Sequence, residues 1–529
     1  MGDAYDVIVV GGGHNGLTAA AYLAKNGKKV LVLERRHIVG GCAVTEEVYP
    51  GFKYTVLSYV VSLLRPEVIR YLELPRHGLD VIPLVNSFLP LPDGNHLFLS
   101  GDEDENHRQV SRFSRHDADA LPEFQELMED LAWFVQPVLS MVPPDPRSYR
   151  PSELGKLFRL GKRFRELGED SFFFTKLLSM SVLDFLDMFF ESDVIKAQMC
   201  TGGIVGASLG PRSPGTATVL LHLFMGGTEE TAGEWGFARG GMGAVSEAIA
   251  SSARSLGVEI RTEAPVAKIL VRDGTAKGVV LESGEEIRAK AVASGVDPKR
   301  TFLKLLDREE VPPEFLEKIR NFRLGGGAAK VNMALDGLPD FTALPGDGAH
   351  LRGDIMIAPS TDYLERAYDD AKYGKFSRKP FMEIVIPSLL DPTLAPPGKH
   401  VMSVEAQYTP YELKAGHWND HREALGDTVV ETLSEYAPNL KDIILHRQVV
   451  TPWDMEQEYG LTEGTVYIGE LTPDQMFMLR PVPGWARYRM PVDKLYLCGG
   501  GAHPGGGVMG APGRLAALEM LKDFGSGSL

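Results

Sequence analysis

Cysteine is scarce: Cys42, Cys200 and Cys498 are the only three, and they lie far apart in the chain. No CxxC redox pair, zinc ligand set or disulfide framework can be built from that spacing, so a reducing compartment is expected. Positive charge is also short. Lysine and arginine number 55 against 71 acidic residues, a formal net charge of −16, which repels a phosphate backbone and excludes nucleic acid as a partner. No uninterrupted apolar run approaches the roughly 18 residues of a membrane span. No basic, apolar, small-residue series marks a signal peptide, and a cytoplasmic protein is expected. Internal repeats are missing too, and the terminal GSGSL reads as a flexible tail or an added scar.

What is present is the composition of a folded chain, 44% hydrophobic and 24% charged over 529 residues, long enough for two or more interleaved cores. The N-terminus is the most informative part. Residues 6–10 read DVIVV, a β-branched run typical of a strand buried on both faces. GGGHNG follows at once. LTAAAYLAKNGKK then repeats apolar residues at helical spacing, with Gly27 as a stop, before a second strand, VLVLE.

Gly11, Gly13 and Gly16 stand at GxGxxG spacing within this βαβ unit. The first permits the tight turn, the second lets a pyrophosphate approach the backbone, and the third lets the helix pack on the strand. The helix N-terminus then faces the phosphates. His14 and Asn15 fill the variable positions, where their side chains can meet a ribityl or phosphate group. Glu34 ends the second strand, placed to accept hydrogen bonds from both ribose hydroxyls of an adenosine and to repel a 2′-phosphate.

Beyond Glu34 the chain continues RRHIVGGCAVT, in which Arg35, Gly40, Gly41 and Thr45 follow the acid. This resembles the extended FAD motif of glutathione-reductase-like flavoproteins, whose paired glycines run beside the flavin's pyrophosphate. That motif closes with glycine and, four positions later, an acid; here Gly51 is present and Thr55 stands in the acid's place. A second return to the cofactor domain is read in GFARGGMGAVSEAIASSARSLGVEIRTEAPVAKILVRDGTAKGVVLESGEEIRAKAVASG. Gly240, Gly241 and Gly243 open a helix, residues 258–261 form a strand, and residues 266–271 pair with 278–282 across a DG turn. Val266 resembles the residue whose backbone contacts adenine. The last return, KLYLCGGGAHPGGGVMGAPGRLAALEML, is again strand, glycine turn and helix; Gly500, Gly501, Gly507 and Val508 would present amides to the flavin pyrimidine and ribityl chain.

With GTVYIGELTPDQMFMLRP and DPTLAPPGKHVMSVEAQYTPY, these segments resemble the phytoene desaturase or carotenoid oxidoreductase family of FAD enzymes over nearly the whole chain, residues 100–200 excepted. The resemblance implies FAD as cofactor. It also implies an α/β fold: a discontinuous, Rossmann-like, glutathione-reductase-like FAD-binding domain of residues 1–69, 233–299 and 485–524. An α+β substrate domain, residues 70–232 and 300–484, is interleaved with it. The reaction implied is hydride transfer from an apolar, polyene-like or alkene small molecule to flavin, with quinone or oxygen as electron acceptor. A flavin-dependent isomerase, an amine oxidase-like enzyme and a non-enzymatic flavin-bound partner of a membrane or respiratory complex stand as alternatives. The absence of CxxC and of a second GxGxxG unit for a nicotinamide argues against disulfide reduction.

His503, in GGGAHPGGG, either polarises the flavin or moves a proton, or else shapes the turn. Glu405, Gln407, Tyr408, Tyr54 and Asp474 are secondary candidates for proton transfer, each with a structural alternative, and Cys498 reads as a buried strand thiol. No metal site is expected. In the substrate segments, PDG at 92–94 predicts a hairpin turn and GDEDENH at 101–107 a solvated acidic loop. FMEIVIPSLL and HVMSVEAQY read as strands of a sheet over the flavin. Residues 151–200 change texture: Lys156, Arg159, Lys162, Arg163 and Arg165 alternate with Leu157, Phe158, Leu160 and Phe164, and SFFFTKLLSMSVLDFLDMFF follows. Two readings stand, peripheral contact with an anionic membrane from which an apolar substrate enters, or a solvated basic face beside a core or homo-oligomer helix. Animal members of the subgroup most resembled are mitochondrial, and an organellar counterpart would need an extension.

Overall fold

The computed structural model describes residues 5–226 and 235–529 as a mixed α/β fold on two seven-stranded sheets. In the first, Tyr5–Val10 and Val30–Leu33 pair in parallel and are joined by helix His14–Lys25. Every residue of Val30–Leu33 is buried, as a strand covered on both faces must be. Glu286–Ser294 runs parallel to the other side of Tyr5–Val10, and Leu495–Leu497 pairs with Glu286–Ser294. The three returns therefore meet in one sheet. Glu259–Arg261 lies beside Val30–Leu33, and Val266–Arg272 with Thr275–Leu281 forms the hairpin expected at Asp273 and Gly274, the latter at φ +72°.

Helix His14–Lys25 packs between Met242–Ser255 and Ala511–Gly525. A side chain at Gly513 would place Cβ 2.0 Å from the Asn15 carbonyl oxygen, so glycine is what lets the last helix reach the glycine turn. Packing in the first core continues past the expected division at residue 299. Phe302, Leu305, Phe315, Leu316 and Ile319 are buried in the first core, so helix Pro313–Arg320 belongs with the cofactor sheet. The expected division at 232/233 lies outside the described residues.

The second sheet runs Ile444–Val450, Ala328–Leu335, His400–Gln407, Phe381–Val385, Asp354–Ile357, Ser87–Pro90 and His96–Leu99 in spatial order. Ala328–Leu335 is buried throughout. One layer of its core includes Trp418, Leu425 and Val429 from helix Trp418–Ser434. The PDG hairpin is present, joining Ser87–Pro90 to His96–Leu99.

Residues 101–107 are not a loop. Asp102 accepts the Glu105 N–H at 3.0 Å and starts helix Glu103–Ser111, with Glu103, Asp104 and Glu105 in the first turn. Negative charge there complements the positive end of the helix dipole, and this offsets the mutual repulsion that suggests a loop. Further on, helix Pro151–Glu166 has no buried residue; Phe158 is 75% and Leu154 46% exposed. It is held by Phe164 against Phe134 and Phe174 and by Arg163, whose guanidinium sits 3.5 Å from the centroid of Trp133. Among the described residues no helix is long and apolar enough to cross a membrane.

Candidate active site

The glycine turn is shaped as a phosphate cradle. A Cβ on Gly16 would lie 2.3 Å from the Gly11 carbonyl oxygen, so only glycine lets the helix start this close to the strand. No side chain caps helix His14–Lys25 and no acid occupies its first turn, which leaves its positive end free for an anion. Gly41 faces this turn, its added Cβ only 3.3 Å from the Gly13 Cα, and the Gly40 amide donates to the Gly12 carbonyl. The paired glycines thus abut the first motif.

Glu34 is 8% exposed. It accepts the Gly12 N–H at 2.8 Å and the Arg36 N–H at 2.9 Å, which fixes the carboxylate at the mouth of the turn with lone pairs to spare for ribose. Ala264 and Glu263 donate to the carbonyls of Glu34 and Arg36, and this brings Val266 alongside. Arg35 turns away to the Gln457 carbonyl. Thr45 Oγ1 accepts the Gly243 N–H at 2.9 Å and joins the second return to the first, and its own O–H stays available as a donor. Thr55, in the acid's place, donates to the Ser58 carbonyl and accepts from Met242.

His14, Asn15, Gly500, Gly507 and Val508 line a narrow cavity of about 110 Å³. His14 Nε2 lies 3.1 Å from the Gly507 carbonyl, which can only accept, so that nitrogen carries the proton. Burial pushes the imidazole down to about 4, so it is neutral and Nδ1 is an acceptor. That atom and Asn15 Oδ1 are buried with no partner. The orphaned acceptors fit the ribityl hydroxyls of FAD, and the uncapped helix end with its glycine cradle fits the phosphates.

Gly501 packs on Pro298, 2.3 Å from an added Cβ, and the Gly500 carbonyl accepts two bonds from Arg480. Arg480 is fully buried and also donates to the carbonyls of Tyr467, Ile468, Gly469, Glu470 and Gln475. It ties the last glycine turn to the segment opposite. Sequence reasoning passed over it, although arginine inside the apolar stretch MFMLRPV is an anomaly.

His503 points away from the cavity. Its Nε2 donates to the Val138 carbonyl at 2.8 Å, its ring meets Phe477 edge-on, and it does not line the cavity. It fastens the glycine turn to helix Arg115–Leu139, the turn-shaping alternative. The secondary candidates divide. Gln407 donates to the carbonyls of Ile204 and Ala207, Tyr408 donates to Leu209, Tyr54 meets His446, and Asp474 pairs with Arg323 at the surface. None of the four lines the cavity. Cys498 is a buried strand-end thiol, pushed up to about 12 by burial.

Glu405 alone lines the cavity, and it has company. Lys330 pairs with Glu405 in register, and Glu405 with Glu383, so one residue from each of three adjacent strands shares a sheet face. Met356 is opposite Glu383, which places Asp354, two residues earlier, on that face too. Lys330 and Glu405 line the flavin-side cavity, while Glu383 and Asp354 line a second, more open chamber of about 430 Å³. Lys330 is 1% and Glu383 2% exposed. Lys330 Nζ, both Glu383 carboxylate oxygens and Asp354 Oδ1 have no hydrogen-bond partner, and Nζ sits 3.9 Å from the centroid of the Tyr59 ring. Burial pushes Lys330 down to about 8, holds Glu405 above the usual carboxylate range and, with carboxylate neighbours, raises Glu383 further. The signal was present: a single charge inside each of AAKVNMAL, FMEIV and HVMSVEAQ.

The family model for flavin-containing amine oxidoreductases matches residues 16–517, nearly the whole chain. The chain belongs to this family. As a flavin-containing amine oxidoreductase family member it uses FAD, and the cradle above is the part of the chain that fits it. Among its relatives is the mouse pyridine nucleotide-disulfide oxidoreductase domain-containing protein 2, 43% identical over 544 residues, covering 98% of this chain and 94% of the mouse protein. A limonene dehydrogenase component from Castellaniella defragrans is 27% identical over 562 residues, covering 98% and 95%. A structure of putrescine oxidase bound to putrescine superposes with TM-score 0.59 at 16% identity, covering 98% and 99%, and shares the fold. The carotenoid-type resemblance and this family agree on an FAD-dependent oxidoreductase.

Proposed function

We propose that this flavoprotein removes hydride from an apolar alkene or polyene-like small molecule, with quinone or oxygen taking the electrons from flavin. The observation that carries the reading is the route to the cofactor. The flavin-side cavity and the outer chamber share Val205, Leu223 and Trp235, so the path between them is walled by apolar side chains. A relative named as part of a limonene dehydrogenase supports an unsaturated hydrocarbon. The discontinuous, glutathione-reductase-like cofactor domain is part of this reading, supported by the parallel strands that gather all three returns.

A second reading, oxidation of an amine, is favoured by one observation. Glu383 and Asp354 present unpaired carboxylate oxygens in the outer chamber, complementary to an ammonium group. The test is the anaerobic visible spectrum of the holoprotein with limonene, a carotenoid precursor or a diamine, each added alone. Bleaching by either hydrocarbon supports the first reading, bleaching by the diamine alone replaces it with the second, and no bleaching by any of them overturns both.

Peripheral membrane contact belongs to the first reading. Leu154 and Phe158 recur at helical spacing with Arg165 on the unburied helix Pro151–Glu166, a cationic and apolar face on an otherwise acidic protein. Flotation with vesicles containing phosphatidylserine tests it; failure to float at low salt removes the membrane from the proposal.

A further inference from the structure

Four titratable side chains stand on one face of four consecutive strands, Lys330, Glu405, Glu383 and Asp354 in that order. Register places the Cβ atoms of Lys330, Glu405 and Glu383 about 5 Å apart in turn, and Asp354, two residues from the partner of Glu383, on the diagonal at about 7–8 Å, a gap one intervening water spans. The row begins in the cavity that the cofactor residues line and ends in the outer chamber, among Asn86, Ser87 and Ser100. A stabilising ion-pair cluster would show ion pairs, yet among the described residues Lys330 meets the Tyr59 ring instead and neither it nor Glu383 forms one. Such burial is costly without a use.

We propose that this row conducts the proton released during substrate oxidation from the flavin-side cavity to the outer chamber. The inference rests on the hydride-removal reading above. Bound flavin would supply the hydride acceptor for one C–H bond of the substrate. The adjacent C–H bond leaves its electron pair in the new double bond and releases a proton. Glu405 accepts that proton beside Lys330, Glu383 passes it on, and Asp354 delivers it to water in the outer chamber. Burial and carboxylate neighbours raise the proton affinity of Glu383, and burial raises that of Asp354, pushed up to about 8, so the carboxyls can hold a proton near neutral pH. Tyr59 and Tyr467 are the other titratable groups facing the row, and both are held protonated by burial and by these carboxylates.

The test needs no organic substrate. Photoreduction of the holoprotein places negative charge beside Lys330 and Glu405 and draws a proton into the row. Infrared difference spectra in H2O and D2O read it. The wild type is expected to show a protonated-carboxyl band that changes on reduction and shifts in D2O, and E383Q and D354N each to lose part of it. With a bleaching substrate, both variants should retain FAD and melt within the wild-type range while flavin reduction slows by about 10²-fold with a larger solvent isotope effect. An unchanged carboxyl band in the wild type overturns the proposal, as do E383Q and D354N with wild-type rates and isotope effects. Should E383Q fail to fold, D354N and the wild-type band carry the decision. A band change without bleaching by any hydrocarbon or amine sinks the substrate reading and leaves the conduit standing; bleaching without a band change does the reverse.

Discussion

The two seven-stranded sheets carry ligand chemistry in opposite ways. The first offers backbone: an uncapped helix end, glycines whose Cβ would collide, and one carboxylate clamped by two amides. The second offers side chains, with three titratable groups in register across its strands and a fourth, Asp354, on the same face. Backbone recognition depends on residues adjacent in sequence, because a turn and the first helical turn span only a few positions. A cross-strand row depends on register between strands distant in sequence, and no local motif announces it.

Substitutions can break or sharpen this contrast. The largest expected effect is Arg480→Met, which strips six carbonyls of a shared donor and separates the last glycine turn from residues 467–475; a loss of about 4 kcal/mol is expected in denaturant unfolding. Gly16→Ala comes next. Its Cβ would force Gly11 and the helix apart, and FAD affinity should fall at least about 100-fold, about 2.7 kcal/mol, read from the flavin-to-protein absorbance ratio after dialysis. A holoprotein with full FAD would contradict the backbone account of the first sheet.

Lys330→Met tests the other sheet and should move stability the opposite way. Lys330 binds its proton less tightly when folded, about 8 against 10.5. The unfolded chain therefore binds more protons between those values, and stability rises with pH across them. Below about pH 8 the buried ammonium destabilises the fold, so the methionine variant should gain on the order of 2–3 kcal/mol at pH 7 and little at pH 10. Denaturant midpoints at both pH values check this; equal shifts at the two would show that packing, not charge, is responsible. Glu34→Gln should weaken FAD binding about tenfold, since it exchanges a charged acceptor for a neutral one at Gly12 and Arg36. The smallest effect lies outside both sheets. Arg159→Glu on the unburied helix should lower binding to phosphatidylserine vesicles by about 1–2 kcal/mol at low salt, while flavin content stays as in the wild type.

Much of the cofactor half was legible in the chain. GxGxxG with its flanking strands, Glu34, the paired glycines and both later returns appear where their residues predict them. What was misread shows what local pattern leaves out. Residues 101–107 looked like a solvated loop because their charge repels, and the dipole of the helix they begin reverses that judgement. His503 in its glycine turn left two readings, a flavin role or a shaping of the turn, and its direction is set by Val138 on a helix from another part of the chain. Helix Pro313–Arg320 follows strand Glu286–Ser294 into the first core, where Phe315 and Ile319 find their partners. Glu405 was visible as a candidate, but its neighbours Lys330, Glu383 and Asp354 were single charges in three unrelated apolar segments.

By itself, then, the sequence determined the dinucleotide cradle, since a helix start, a tight turn and a terminal acid follow from steric and dipolar rules acting over adjacent residues. It also determined that three strands of the second sheet each carry an ionisable residue, Lys330, Glu383 and Glu405, among apolar ones. Only the tertiary structure decided that those charges share a face and connect two cavities. The reason is the two-residue period of a strand: a slip of one position would turn Glu383 or Glu405 to the opposite face and break the row, and register is set by the packing of the whole sheet.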